Sequence, residues 1–377
     1  MFSVGMVLLV LERTGSATLA GGVVAAVTLP SLVTAPLLGA WLDLRGRRRA
    51  LMVLDQSLAS VVLVFLALAT GHLPDGVILV VSVLLGLTWP LSFGGFTSVI
   101  PVLVEDELLA SANALEATSL NLATIVGPLL AGAIAAGWSP EGAVLTEAVL
   151  TLAGLCMLLG FEALDRGPRR RAGSLLEVAR DGLRAMVAVP VLRGVSLAGM
   201  ISLLGIGFLT VAFPFFCTQH LGASRSASGL LWAAFAVGST IGALGLVGLQ
   251  RRHAPQRIVL GSLAVFGALM LTWPLARTLP VALVLIAIAA LADGPGLSGT
   301  FAVRQDWAPA DLQGQIFTTA AGLKVGAFAL GSAIAGPLVT GAGSSAALLV
   351  AAGLQVVGAA VGALAVRGRR APVAEAV

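Results

Sequence analysis

The stretch that decides the fold reads Gly39-Ala40-Trp41-Leu42-Asp43-Leu44-Arg45-Gly46-Arg47-Arg48-Arg49-Ala50-Leu51. An apolar run enters it through Pro30 to Leu42, and another leaves it from Ala50 to Thr70. One acid, one Gly turn and four Arg are thus compressed into a short loop between two apolar segments. Gly39 lets helices approach closely. Asp43 falls at a helix end, facing a membrane surface. Gly46 permits a tight reversal. Arg45, Arg47, Arg48 and Arg49 sit where positive charge is retained on the cytoplasmic side of a bilayer.

The rest of the chain has the composition this reading requires. Of 377 residues, 58% are hydrophobic and 11% charged, against about 25% charge in a soluble domain. The chain is therefore an all-α polytopic membrane protein, and its multi-pass home is expected to be the cytoplasmic membrane of a bacterium. Its basic pI reflects 21 Arg and one Lys, nearly all of the Arg in short loops, so nucleic-acid binding is not implied. Cys156 and Cys217 both lie in apolar segments, and no disulfide framework follows. His72, His220 and His253 share no ligand spacing, so no metal site is expected. The absence of a G-x-x-x-x-G-K-[ST] loop argues against an ATP-driven pump. No cofactor and no catalytic constellation is expected, and the chain is not read as an enzyme.

A helical span needs about 20 apolar residues. Hydropathy and breakers predict spans at 18–42, 50–70, 76–104, 113–137, 141–163, 195–217, 227–249, 258–276, 279–302, 314–340 and 344–366. The apolar run Met1–Leu11, closed by Glu12 and Arg13, reads as the second half of a truncated first span and brings the count to twelve. With the 43–49 loop in the cytoplasm, strict alternation puts eighteen Arg on that side and three (Arg13, Arg225, Arg277) on the other. That asymmetry supports the span order and predicts cytoplasmic termini.

Residues 165–194 form a linker. Ser174 and Glu177 make a capping box. Leu175, Leu176, Ala179, Leu183 and Met186 share one helical face, as in a helix lying along the membrane surface. The domain layout is then a six-helix bundle over 1–164, the linker over 165–194, a second six-helix bundle over 195–366, and a cytoplasmic tail over 367–377. A weak internal repeat supports two pseudo-symmetric halves: Gly127-Pro128…Gly132 in the fifth span matches Gly331…Gly336-Pro337 in the eleventh.

The pattern G-x-x-x-D-x-R-G-R-R over Gly39–Arg48 resembles the signature between the second and third spans of the major facilitator superfamily, the large class of secondary transporters. Leu44 stands where that family usually carries a basic residue. The resemblance covers essentially the whole chain. It implies two bundles rocking about a central site, with Gly39, Asp43, Arg45, Gly46, Arg47 and Arg48 as a cytoplasmic gating motif. The Ala112-Asn113-Ala114-Leu115 segment, the amphipathic linker and the Gly-Pro spans are similar to bacterial macrolide and enterobactin exporters. What this implies is proton-coupled efflux of a small lipophilic or amphiphilic compound by a monomer in the lipid bilayer. The alternatives are an importer of the same fold, or a non-transporting receptor, scaffold or decayed transporter.

Ionisable residues inside a bilayer are costly and mark function by default. Asp55 lies about two turns into the third span. Glu116 is near the start of the fifth, and Glu147 lies within the sixth. Asp293 and Lys324 both fall roughly 13–15 Å from the same membrane face, counting 1.5 Å per residue. They are expected to pair, directly or through water, either as a cavity-lining pair that breaks during transport or as a fixed structural pair. Gly294-Pro295-Gly296 beside Asp293 predicts a kink against a wet cavity, and Gly127-Pro128 with Gly132 a second kink. The tryptophans Trp41, Trp138, Trp273 and Trp307 read as interfacial belt anchors, while Trp89 and Trp232 lie deeper.

Overall fold

The structure is a computed structural model and describes residues 1–35, 37–38, 48–91, 105, 119, 122–123, 126–160, 183–184, 186–246, 252–308 and 313–366. Among these residues the regular structure is helical and contains no strand. In chain order the helices are α1 (Phe2–Thr14), α2 (Ala17–Thr28), α3 (Arg48–Ala69), α4 (Asp75–Pro90), α5 (Val126–Gly137) and α6 (Pro140–Leu159) in the first half. The second half holds α7 (Pro190–Gln219), α8 (Ser228–Gly245), α9 (Pro255–Met270) and α10 (Leu279–Trp307). A last helical run, Gln313–Val366, is parted at Gly343 into α11 (313–342) and α12 (344–366). Gly343 has φ +84°, a conformation that suits a residue without Cβ. Twelve helices thus follow one another in the order expected from hydropathy, and among the described residues eight candidate spans are long and apolar enough to cross a membrane.

Local chemistry sets the helix ends. Gly15, with φ +66°, closes α1, and Ser16 accepts a hydrogen bond from the Leu19 amide at 3.1 Å to open α2. Ser139 caps α6 in the same way, accepting from Gly142 N at 2.9 Å, with Pro140 in the first turn. Two boundaries move outward. The seventh helix starts at Pro190 instead of 195, taking Arg193 into it, and the tenth runs on to Trp307 instead of 302.

Within the first half, α1 packs on α2 and α6, and α3 packs on α4 and α6. Within the second, α7 packs along α11 and α12, while α10 lies between α8 and α9. Polar side chains join these helices sparingly. The Ser332 hydroxyl donates to the Gly207 carbonyl at 3.2 Å, and Gln355 Nε2 donates to the Ser202 carbonyl at 3.0 Å. Apolar side chains such as Val61, Met157, Leu244 and Leu364 point outward, as they do when the surrounding solvent is hydrocarbon. Trp138 is exposed at a helix end, as an anchor would be. Trp273, however, is buried in an aromatic core with Phe213 and Phe266 and is not an interfacial anchor.

Among the described residues, two close crossings between the halves depend on glycine. On α2 and α11, a Cβ at Gly21 would collide with the Ser332 carbonyl, and one at Gly336 with the Ala17 carbonyl. On α5 and α8, a Cβ at Gly132 would lie 2.6 Å from the Ser226 carbonyl and 3.1 Å from Gly229 Cα. Arg225, in the turn after α7, adds a polar tie across the halves by donating to the Leu11 carbonyl at 2.9 Å. Beside it Arg13 forms an ion pair with Glu141 and a 2.8 Å contact with His72 Nε2. The halves are therefore in contact at the end of the bundle that carries the α1–α2 and α7–α8 turns.

Because an enlarged residue at Gly21 must push α2 off α11, Gly21→Val is expected to lower stability by about 1–3 kcal/mol. Gly353, where an added Cβ meets open space, is the control: Gly353→Ala is expected to be neutral, or stabilising by up to about 1 kcal/mol. Thermal unfolding of the detergent-solubilised protein measures both.

Candidate functional site

The polar residues of the second half converge on α10. Asp293 lies on this helix with its Oδ2 accepting a hydrogen bond from the Ser239 hydroxyl of α8 at 3.0 Å. The next residue explains how α8 comes so close: a Cβ at Gly294 would collide with the Ser239 carbonyl. On the opposite side of α10, a Cβ at Gly296 would lie 3.0 Å from Ser262 Cβ of α9. The Gly294-Pro295-Gly296 segment therefore acts chiefly as a packing device. The helix is continuous through Pro295, and its two glycines let neighbours press on either face.

Lys324 approaches from α11. Its side chain lies across Gly199 of α7, where a Cβ would collide with Cε and come 2.9 Å from Nζ. The ammonium thus occupies a space that exists only because α7 carries no side chain at that point. Lys324 and Asp293 act on one another electrostatically, but among the described residues they form no ion pair within 4.0 Å. The carboxylate is thus held by Ser239, while the ammonium lies in the space left at Gly199.

Arg304 is a third member that hydropathy assigned to a cytoplasmic loop. It lies within α10, is 5% exposed, and its charge is felt at Lys324. The apolar run ends at Val303, and only the continuation of the helix to Trp307 brings Arg304 inside. Ser239 and Gly199 were likewise not singled out. Each is an ordinary small residue in an apolar span, and only its neighbour across the helix contact gives it a role.

The remaining expected residues fall elsewhere. Asp55 on α3 is buried, and its Oδ2 accepts from Gln56 Nε2 at 3.2 Å. Glu147 on α6 takes the Phe2 amide of α1 as a donor, and its Oε2 is buried without a hydrogen-bond partner among the described residues. Gly127 lies against Met1, just before α1, the Pro128 carbonyl faces Gly229, and Gly132 forms the α5–α8 crossing. Gly39, Asp43, Arg45, Gly46 and Arg47 lie outside the described residues, as does Glu116, while Arg48 opens α3. Trp232 packs against Phe213 and Phe235, at 5.2 and 6.0 Å between ring centroids, and Trp89 packs against Phe2 at 5.5 Å.

Comparison with known proteins agrees with this architecture. The family model described as Major Facilitator Superfamily matches residues 1–193 and again 195–376. An uncharacterized MFS-type transporter, y4rN of Sinorhizobium fredii, is 30% identical over 382 residues, covering 99% of this chain and 92% of the relative. The multidrug efflux pump Tap of Mycolicibacterium fortuitum is 31% identical over 358 residues, covering 90% and 85%. Among solved structures, the nucleoside transporter NupG aligns with a TM-score of 0.73 at 14% identity, covering 96% of this chain and 94% of that one. A bacterial homolog of the human lysosomal transporter Spinster, solved in an inward-facing and unoccupied conformation, aligns with a TM-score of 0.71 at 17% identity, covering 99% and 96%. These solved structures share the fold. Matched in both halves and related over nearly its whole length to such transporters, the chain belongs to the major facilitator superfamily and is a multi-pass membrane transporter of small molecules, not an enzyme.

Proposed function

We propose that this transporter is a proton-coupled exporter of small lipophilic or amphiphilic compounds, working as a monomer in the bacterial cytoplasmic membrane. The observation that carries the reading is the relation to Tap, a multidrug efflux pump, at 31% identity over 358 residues. The apolar make-up of the spans suits such cargo better than a sugar phosphate. The Arg asymmetry puts both termini and the 43–49 loop in the cytoplasm. On that orientation the Arg13–Glu141 and Arg225–Leu11 contacts are at the outer surface, which supports a state closed on that side. The domain limits at 164, 194 and 366 and the surface-lying linker helix belong to this same reading.

In this scheme the glycine crossings are the pivots. The gating motif with Asp43 holds the cytoplasmic side shut in the alternate state. Asp293 carries the proton: with the proton bound, Lys324 loses the opposing charge, and with it released the two attract again. Asp55 and Glu147 are the further proton candidates in the first half. No cofactor, metal or nucleic acid enters the cycle.

Two measurements test the scheme. Inside-out vesicles under an imposed proton gradient are expected to accumulate lipophilic dyes or antibiotics, and Asp43→Asn is expected to abolish this. Accumulation only in right-side-out vesicles would instead indicate import. For the charged site, Gly199→Ala and Lys324→Met are each expected to cut gradient-driven transport by about tenfold or more. Because both act on the same ammonium, the double variant is expected to be no worse than Lys324→Met alone. Additive losses would detach Gly199 from Lys324. Equal thermal stability of the variants checks that the fold is intact.

A further inference from the structure

On the outer face of the second half, α8 and α9 diverge above α10 and leave a cavity of about 310 Å³. Its floor is Ala292 and Pro295 of α10. One wall is Leu246, at the end of α8, and the other is the first turns of α9 down to Val265. Leu246 and Val265 are exposed, so the cavity opens away from the helix bundle toward the surrounding hydrocarbon. Its rim is different in kind: His253 and Arg257 line it there, and among the described residues no acidic side chain lines it. The Arg257 guanidinium makes no ion pair or side-chain hydrogen bond among the described residues. The amide groups of the first turn of α9, opened by Pro255, add positive potential at the same rim.

Position decides what such a groove can hold. Arg257 to Val265 spans eight residues of helix, roughly 12 Å. With Arg257 just outside the span predicted at 258–276, that length puts the rim at headgroup level and the apolar floor at the level of the upper acyl chain. We propose that this groove binds one anionic phospholipid. Its phosphate sits against Arg257 and His253, and one acyl chain runs along Leu246, Val265 and the Ala292–Pro295 floor. Water would be a poor occupant of an apolar floor, and a zwitterionic headgroup leaves the cationic rim only partly compensated. The floor is also the back of the charged site: Ala292 and Pro295 flank Asp293, whose carboxylate turns to Ser239 on α8. A lipid in the groove thus supports the segment of α10 that presents Asp293. The site stands whichever way the transporter runs, because it needs only the membrane.

Native mass spectrometry of the detergent-released protein tests it. Titrated phosphatidylglycerol is expected to be retained about fivefold better than phosphatidylcholine of the same chains, the scale of one basic contact. Arg257→Gln is expected to erase that preference. Arg252→Gln, which changes an exposed neighbour outside the groove, is expected to keep it. Val265→Trp fills the apolar half and is expected to lower retention while Arg257 is intact, so the proposal is testable even if Arg257→Gln folds poorly. Equal retention of the two lipids by the unaltered protein would overturn the proposal. So would preference and retention unchanged in both the Arg257 and Val265 variants. Displacement of the lipid by inorganic phosphate at equal concentration would also overturn it, since the site would then read a phosphate alone.

Discussion

Among the described residues, the two halves are joined at two places where helix backbones touch because no side chain separates them. Gly21 and Gly336 bring α2 against α11, and Gly132 and Gly229 bring α5 against α8. In a bilayer, helices gain nothing from burying apolar surface against each other, since lipid is as apolar as leucine; close packing is the available attraction. The two crossings are also equivalent. Exchanging the halves turns α2 into α8 and α11 into α5, so each crossing is the image of the other. The glycine on the fifth or eleventh helix meets the opening of the second or eighth in both. The repeated five-residue spacing, Gly127 to Gly132 and Gly331 to Gly336, is the sequence trace of that symmetry. A contact made of backbone and small residues can rock with little steric cost, which is what a transporter of two rigid halves needs.

The same economy governs the charges. A carboxylate and an ammonium inside a membrane are tolerated only when the protein supplies partners. Here they are supplied separately: Ser239 for Asp293, and a cleared space at Gly199 for Lys324. A pair in direct contact gains most by staying in contact. A pair held apart by other groups responds to protonation of one member without first breaking a salt bridge. The glycines beside Asp293 serve this arrangement by admitting α8 on one face of α10 and α9 on the other. The groove outside α10 then backs onto the same segment.

Much of this was legible in the chain. The Gly39–Arg49 stretch and the apolar runs identify the fold because a bilayer imposes span length, and loop arginines impose order, without reference to packing. Counting residues from one membrane face puts Asp293 and Lys324 at similar height, since helical rise is constant, but the direct contact expected of them is not made among the described residues. The misreadings have a common cause. Arg304 falls in a loop and Trp273 in an interfacial belt when each is read from its own chemistry alone, and the kink expected at Gly294-Pro295-Gly296 carries no sign of the helices that pack on its two faces. A buried arginine, a core tryptophan and a glycine that admits a neighbouring helix look the same in sequence as their surface counterparts.

What the sequence by itself determined is the set of quantities that depend on one helix at a time: a multi-pass all-helical chain, the order of its apolar segments, the repeat, and the family signature. Only the tertiary structure decided which helix faces which. It paired Gly199 with Lys324, Ser239 with Asp293, and Gly21 with Ser332, and it drew Arg304 toward the charged site. The reason is geometric. Hydropathy and helical rise fix a residue's depth in the membrane, whereas its partner depends on the rotation and crossing of two helices, set by side chains that lie far apart in the chain.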